Sequence, residues 1–338
     1  MQVNKKKPTL FGRLVALLVY GYAAGVLFVW AALLFAVDRH WIGTLIGYGP
    51  RWIWAGPLPI VVLAVLLSRR WRLLLPTIAA AFVVIAVVMD FSFGLHRQDE
   101  GQPVRIVTQN LGGIMPIDDP RFVTWLQGTR ADVVVITECW RNDQPKGTPD
   151  PAFHFAMDYT MCLLSKYPIV KVEGRPRKDV WERGGSGEIG VFEVQGPQGS
   201  FWILSLQLET VREGLEAILV NKLGGIPELE AKNEVRRWES QLATEWAKDH
   251  AKSPFLAVGD FNMPIESGFY KEYWSRYDDA WSRCGRGFGW TKRTRKTGAR
   301  IDHVLFDDAW GCAGAEILPD IGSDHLGLAV DLRLSPPK

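Results

Sequence analysis

Apolar positions divide the chain into two unlike parts. Leu14 to Val37 is a charge-free run of 24 residues, about 36 Å long as a helix. Trp52 to Ser68 and Leu73 to Met89 are charge-free runs of 17 residues each, the lower edge of what spans a bilayer. One such run alone reads as a buried core helix. Three within the first ninety residues predict about three transmembrane helices, at about 14–37, 52–68 and 73–89. The first run is too long for a cleaved signal segment and lacks a clear small-residue cleavage site.

Beyond residue 103 the runs are shorter and change period. Val104–Thr108, Val133–Thr137, Met161–Leu164, Phe255–Val258, Ile301–Phe306 and Leu326–Leu332 predict strands, Val133–Thr137 as a β-branched run buried on both faces. Gly190–Val194 and Phe201–Leu208 flank the turn Gly196-Pro197-Gln198-Gly199 and predict an antiparallel pair. Helical spacing predicts helices over Asp119–Gly128, with Phe122, Trp125 and Leu126 inward, and over Asn233–His250, with Val235, Trp238, Leu242 and Trp246 inward. Residues 90–103 form the expected linker, and residues 140–158 read as a Pro/Gly/Asp-rich loop. The domains predicted are a membrane anchor over 1–97 and a second domain over 98–338.

Composition sharpens this division. The 338 residues are 47% hydrophobic and include 15 Trp, of which Trp30, Trp41, Trp52, Trp54 and Trp71 lie near span ends, as in an interfacial belt. Residues 1–97 hold ten Lys/Arg against Asp38 and Asp90; with +2 for the whole chain, residues 98–338 carry about −6. That second part has no global field for holding nucleic acid. Lys5, Lys6, Lys7 and Arg13 precede the first run, and Arg69, Arg70 and Arg72 fill the turn between the second and third; the intervening loop holds only Arg39 and Arg51. The positive-inside bias puts the N-terminus in the cytoplasm, and three crossings put residues beyond Asp90 outside. The expected location is the cell (inner) membrane, multi-pass, with the second domain extracytoplasmic.

Several strands end in polar clusters: Gln109-Asn110, Glu138, Gly259-Asp260-Phe261-Asn262, Ile301-Asp302-His303 and Ser323-Asp324-His325. Carboxylates, amides and an imidazole gathered on one rim suit metal-assisted attack on a phosphate ester. A basic stretch containing Arg283, Arg286, Lys292, Arg293, Arg295, Lys296 and Arg300 leads into Asp302, either as a solvated hairpin or as a phosphate-facing loop. Cys139, Cys162, Cys284 and Cys312 show no metal-binding spacing; outside the cytoplasm they are free to form disulfides, with Cys284–Cys312 the preferred pair, and buried free thiols remain the other reading.

Over about 103–335 these motifs, taken in order, resemble the endonuclease/exonuclease/phosphatase superfamily. The resemblance rests on Thr108-Gln109-Asn110, Val134 to Glu138, Leu163-Leu164-Ser165-Lys166-Tyr167-Pro168-Ile169, Gly259 to Asn262, Arg300 to His303 and Gly322 to His325. With the apolar runs, the chain is especially similar to bacterial membrane-anchored members. The resemblance implies an α/β (α+β) four-layer sandwich of two packed β-sheets flanked by helices, and a divalent-metal-dependent phosphoesterase acting on a phosphodiester or phosphomonoester through activated water. It implies Mg²⁺ or Mn²⁺ held by Glu138, Asn110 and Asp324, and catalytic roles for His325, Asp302, Asp260 and Asn262. Either His325 or Asp260 is the base, and His303 packs locally. The implied partners are the membrane and a phosphate ester (phospholipid, nucleic acid or small ester), with no protein partner.

One position departs from the pattern. Where the family usually presents His, sometimes Tyr, the strand Trp202–Leu208 carries Gln207, which donates a hydrogen bond but handles no proton. This keeps a second reading open, a degenerate phosphoesterase scaffold that only binds. A structural membrane protein whose outer domain recruits partners is the third, and the retained polar cluster argues against it.

Overall fold

The computed structural model describes residues 9–140, 144–294 and 297–335. Lys5, Lys6 and Lys7 of the charge argument, and Arg295 and Lys296 of the basic stretch, lie outside them. The chain divides into two compact units at Phe91/Ser92, six residues before the boundary expected from composition. The reason is local. Ser92 and Phe93 pair with Gly287 and Arg286, and the His96 and Gln98 amides donate to the carbonyls of Arg283 and Cys312.

The first unit contains three helices long and apolar enough to cross a membrane, Leu10–Phe35, Arg51–Ser68 and Trp71–Val88. The first starts before the charge-free run because the Thr9 hydroxyl caps it, accepting from the Gly12 amide at 3.2 Å. A short helix, Trp41–Tyr48, occupies what reads as a loop in the sequence. The helices meet through aliphatic, mostly valine contacts, Val15, Val19, Val61 and Val65 in one cluster and Val29, Leu33, Val37 and Val88 in another. Leu17, Phe28, Leu63, Leu75 and Phe82 stand outward and exposed, an apolar exterior that lipid accommodates and water does not.

The second unit is two six-stranded mixed sheets packed face to face with helices outside. One runs Trp310–Ile317, Leu328–Leu334, Gln102–Asn110, Val133–Thr137, Met161–Ser165, His154–Asp158; the other runs Asp278–Asp279, Asp302–Phe306, Phe255–Asp260, Gly199–Gln207, Glu188–Gly196, Ile169–Gly174. Period-two alternation builds the layers. Val104, Ile106, Val133, Val135, Ile203, Leu256, Val258 and Val304 fill the space between the sheets. The intervening Val107, Val134 and Ile136 pack outward against Phe122, Trp125 and Leu126 of the helix Pro120–Thr129.

Each sheet contains one parallel pair, Gln102–Asn110 beside Val133–Thr137 and Gly199–Gln207 beside Phe255–Asp260. All the other strand pairs in these two sheets are antiparallel. Parallel strands end on the same side, so four strand termini emerge at one rim. A helical crossover closes each pair.

The sequence reading misses His154–Asp158, Ile169–Gly174 and Trp310–Ile317. All three are edge strands with mostly part-exposed residues, so none shows a continuous apolar run. The second crossover helix is Ile226–His250 rather than Asn233–His250, and its buried face is also a correction. Leu229, Asn233, Arg236, Glu239, Ser240, Ala243 and Ala247 point inward, while Val235, Trp238, Leu242 and Trp246 are half-buried. Cys284 pairs with Cys312 and Cys139 with Cys162, at Cα separations of 5.9 and 6.0 Å that suit disulfides.

Candidate active site

The rim where the parallel strands end gathers the polar clusters. Asn110 closes its strand, and its register partner Thr137 precedes Glu138. Gln207 lies opposite Asp260, and Asp260 opposite Asp302, which opens the next antiparallel strand. The loop Gly322–His325 comes in from the first sheet, tied by the Ser323 hydroxyl donating to the Asn110 carbonyl at 2.7 Å.

Asn110 links the two sheets. Its Nδ2 donates to Glu138 Oε1 at 3.1 Å and to Asp260 Oδ2 at 3.0 Å, while its Oδ1 accepts from the Gly112 amide at 2.7 Å. Gln207 Nε2 also donates to Glu138 Oε1, at 2.7 Å. Two amides, one from each sheet, therefore hold one carboxylate. Glu138 and Asn262 adopt left-handed backbone, φ 50° and 51°, a conformation that asparagine tolerates and that strains a glutamate. Gly259 is required for a different reason. A Cβ there would stand 2.0 Å from the Leu206 carbonyl oxygen of the parallel neighbour.

His325 is buried between carboxylates. Its Nδ1 lies 2.8 Å from Asp302 Oδ2, and its Nε2 faces Asp260 Oδ2 at 3.7 Å and Asp324 Oδ1 at 3.9 Å. Burial alone would lower the imidazole; Asp302 and Asp260 outweigh it and raise the pKa to about 9. Burial first, and then the Asp302 charge, push the Asp260 carboxyl above the usual carboxylate range. Asp260 Oδ1 accepts from the Asn262 amide at 2.8 Å, and the Asn262 side chain donates to the Leu208 carbonyl at 2.7 Å rather than into the site.

Asp324, half in solvent, pairs with Lys292. Despite burial that raises it, this contact holds its carboxyl low. Lys292 and Arg293 pair with Ala299 and Gly298 as a short hairpin, and Lys292 bridges to His325. Among the described residues of the basic stretch, Lys292 thus brings a cation to the rim. Arg300 is instead buried against Asp279, at 2.5 Å. His303 is also buried, between Asp279 Oδ2 and the Met263 carbonyl, each at 2.9 Å, which is local bonding away from the site.

Sequence reasoning missed the scaffold behind the rim. Arg236, fully buried, donates to the Glu209 carbonyl at 3.3 Å and the Asn262 carbonyl at 3.2 Å. Glu239 accepts from the amides of Gly187 and Glu209 at 3.0 and 2.6 Å, and burial raises its pKa to about 7. The only sequence signal for either was a charged residue at a helical position three or four steps from its neighbours.

The donor set suits a hard dication. Asp260, Asp302 and His325 bring ligand-type atoms within 4.8 Å of one another, but His325, kept charged between the carboxylates, has no lone pair to give a metal, and the oxygens are the donors. Asp302 Oδ1 and Gln207 Oε1 are buried with no hydrogen-bond partner among the described residues, and Glu138 and Asn110 add oxygen donors beside them. Oxygen-rich donors favour Mg²⁺ or Mn²⁺ over zinc.

Among known proteins, the sequence profile of the Endonuclease/Exonuclease/phosphatase family matches residues 107–325. The chain belongs to that family. Its two mixed sheets flanked by helices are the family's fold, whose members are phosphoesterases or nucleases that generally use divalent metals. No curated protein matches by sequence. Similar solved structures include a family protein from Bacteroides thetaiotaomicron, 15% identical over 69% of this chain and 98% of that one, with a TM-score of 0.49. A mannosyl-6-phosphatase from the same organism is 15% identical over 68% and 99%, with a TM-score of 0.48. A humanized D. rerio TDP2 is 13% identical over 68% and 99%, also with a TM-score of 0.48.

Proposed function

We propose that the chain is a membrane-anchored, divalent-metal-dependent phosphoesterase acting outside the cytoplasm or at the bilayer surface. One observation carries the hydrolytic reading: His325 bonded to Asp302 on one side and facing Asp260 on the other, next to a carboxylate held by two amides. Asp302 fixes the imidazole through Nδ1 and sustains its charged form, leaving Nε2 to meet negative charge developing on phosphate. Asp260, positioned by Asn110 and the Asn262 amide, takes the proton from the attacking water. Glu138 and Asn110 would hold the dication, with Asp324 at its margin; the ion supplies charge neutralisation on the phosphoryl group. Gln207 orients Glu138, so its inability to transfer a proton leaves the Asp302–His325–Asp260 array intact, and hydrolysis is favoured over binding alone.

The deciding experiment is Glu138→Ala in the full chain, assayed with and without Mg²⁺ against phosphodiesters and phosphomonoesters. Divalent-dependent hydrolysis should vanish while the fold persists; full activity in the variant, or in excess chelator, would sink the metal-dependent reading.

The anchor reading rests on the three apolar helices and the Lys/Arg bias. Two cysteine pairs at disulfide spacing suit an oxidising compartment. Protease added to intact spheroplasts should digest the second unit, and complete protection would reverse the orientation.

A further inference from the structure

Beside the catalytic rim, on the side away from Asp302, three aromatic rings stand in a row. Trp140, two residues after Glu138, lies 6.3 Å from Tyr159 between ring centroids, and Tyr159 lies 6.1 Å from Trp181. Tyr159 and Trp181 are about half exposed, at 46% and 53%. Arg177 is immobilised against them, its guanidinium 4.3 Å from the Tyr159 ring and 5.1 Å from Trp181. All three of its nitrogens are engaged: Nη1 with Glu188 Oε1 at 2.6 Å, Nη2 with the Ser186 carbonyl at 2.8 Å, and Nε with the Gly187 carbonyl at 3.2 Å. Glu188 also accepts from the Thr160 hydroxyl at 2.6 Å, and it is the register partner of Gln207. Glu188 therefore stands one strand spacing, roughly 5 Å, from Gln207, and the aromatic row lies beyond it, joined to it through Arg177 and Thr160.

A second, independent feature singles out Tyr159. It occupies a two-residue turn between Asp158 and Met161 with φ 49°, where glycine or asparagine would sit without strain. The ring is kept in that conformation although nearly half of it faces solvent. A flat face beside a phosphate-directed site suits one class of ligand best, a phosphate ester carrying a planar ring. The surrounding charge argues against a long polyanion, since residues 98–338 carry about −6.

We infer that Trp140, Tyr159 and Trp181, stiffened by Arg177, form a stacking subsite for the nucleobase-like ring of a small nucleotide-type substrate. The inference rests on the phosphoesterase reading for where the phosphate lies, but its test needs no turnover. In the full chain carrying His325→Gln to block hydrolysis, equilibrium dialysis compares adenosine 5′-monophosphate with ribose 5-phosphate. The ring-bearing ligand should bind about tenfold or more tightly. Adding Tyr159→Gly and Trp181→Ala should erase that difference while leaving ribose 5-phosphate affinity unchanged. Equal affinity for the two ligands before the substitutions, or equal loss of both after them, would overturn the inference.

Discussion

The two sheets of the second unit solve the same problem with different material. Each carries one parallel pair ending in an amide and a carboxylate, Asn110 with Glu138 in one and Gln207 with Asp260 in the other. Each pair is closed by a crossover helix. The first, Pro120–Thr129, buries Phe122, Trp125 and Leu126 and covers the sheet with an apolar face. The second, Ile226–His250, buries Asn233, Arg236, Glu239 and Ser240. Its polar groups bond the backbone just past the strand ends, at Glu209 and Asn262. The Glu138 carboxylate, half-buried, is held by the side-chain amides of Asn110 and Gln207. The Asp260 side is fully buried and is fixed by a helix reaching in from behind. A carboxylate that must be both buried and poised needs this backbone-level support, because a small displacement would leave it without its hydrogen-bond donors.

The largest effect should come from the chemistry both sides share. His325→Ala removes the imidazolium between Asp302 and Asp260, and turnover should fall by about 10³–10⁴-fold. In the wild type the rate should also decline as pH rises through about 9, where His325 loses its proton; the variant should lack that alkaline limb. An active wild type indifferent to His325→Ala would place the site elsewhere.

Next in size is the contrast between the helices. Phe122→Ala should cost about 3 kcal/mol of stability or somewhat more through the cavity it leaves, with turnover of the folded fraction unchanged. Arg236→Lys keeps the charge but loses the fork that spans two carbonyls. Its stability cost should be smaller, about 2 kcal/mol, yet turnover should fall about tenfold. Thermal melts and active-site-normalised rates separate the two. Equal effects on rate would erase the distinction between cover and clamp.

The same contrast explains what the sequence made legible. Val133–Thr137 and Phe255–Asp260 are buried on both faces, so continuous apolar runs mark them and point to Glu138 and Asp260 at their ends. The amphipathic helix over Pro120–Thr129 shows because its buried face is apolar. The second crossover inverts that signal. Arg236 and Glu239 face inward, while Trp238 lies under the Arg183 guanidinium and Trp246 stacks on His250 near the surface. Hydrophobic periodicity cannot find a face built from charge. The aromatic row was hidden for another reason: Trp140, Tyr159 and Trp181 come from three separate segments, joined only when the hairpin tip at Thr160 meets Glu188 across the sheets.

The smallest effects should come from Gln207, where the two halves meet. Its Nε2 donates to Glu138 Oε1 across the sheet boundary, so the side chain belongs to one half and serves the other. Gln207→Ala should leave Glu138 with Asn110 as its one remaining amide and raise the Mg²⁺ concentration for half-maximal rate about tenfold, as losing a partner of a metal ligand does. Gln207→His can retain the donation through one ring nitrogen and offer the other to phosphate. It should raise turnover by about tenfold at most, because the pocket is shaped around an amide, and should leave the Mg²⁺ requirement unchanged. Rate measured against Mg²⁺ for the three side chains decides between the roles. If Gln207→Ala leaves the Mg²⁺ requirement untouched, the amide is not orienting Glu138. A wild type without activity that stays inactive as Gln207→His would return the chain to the binding-only reading.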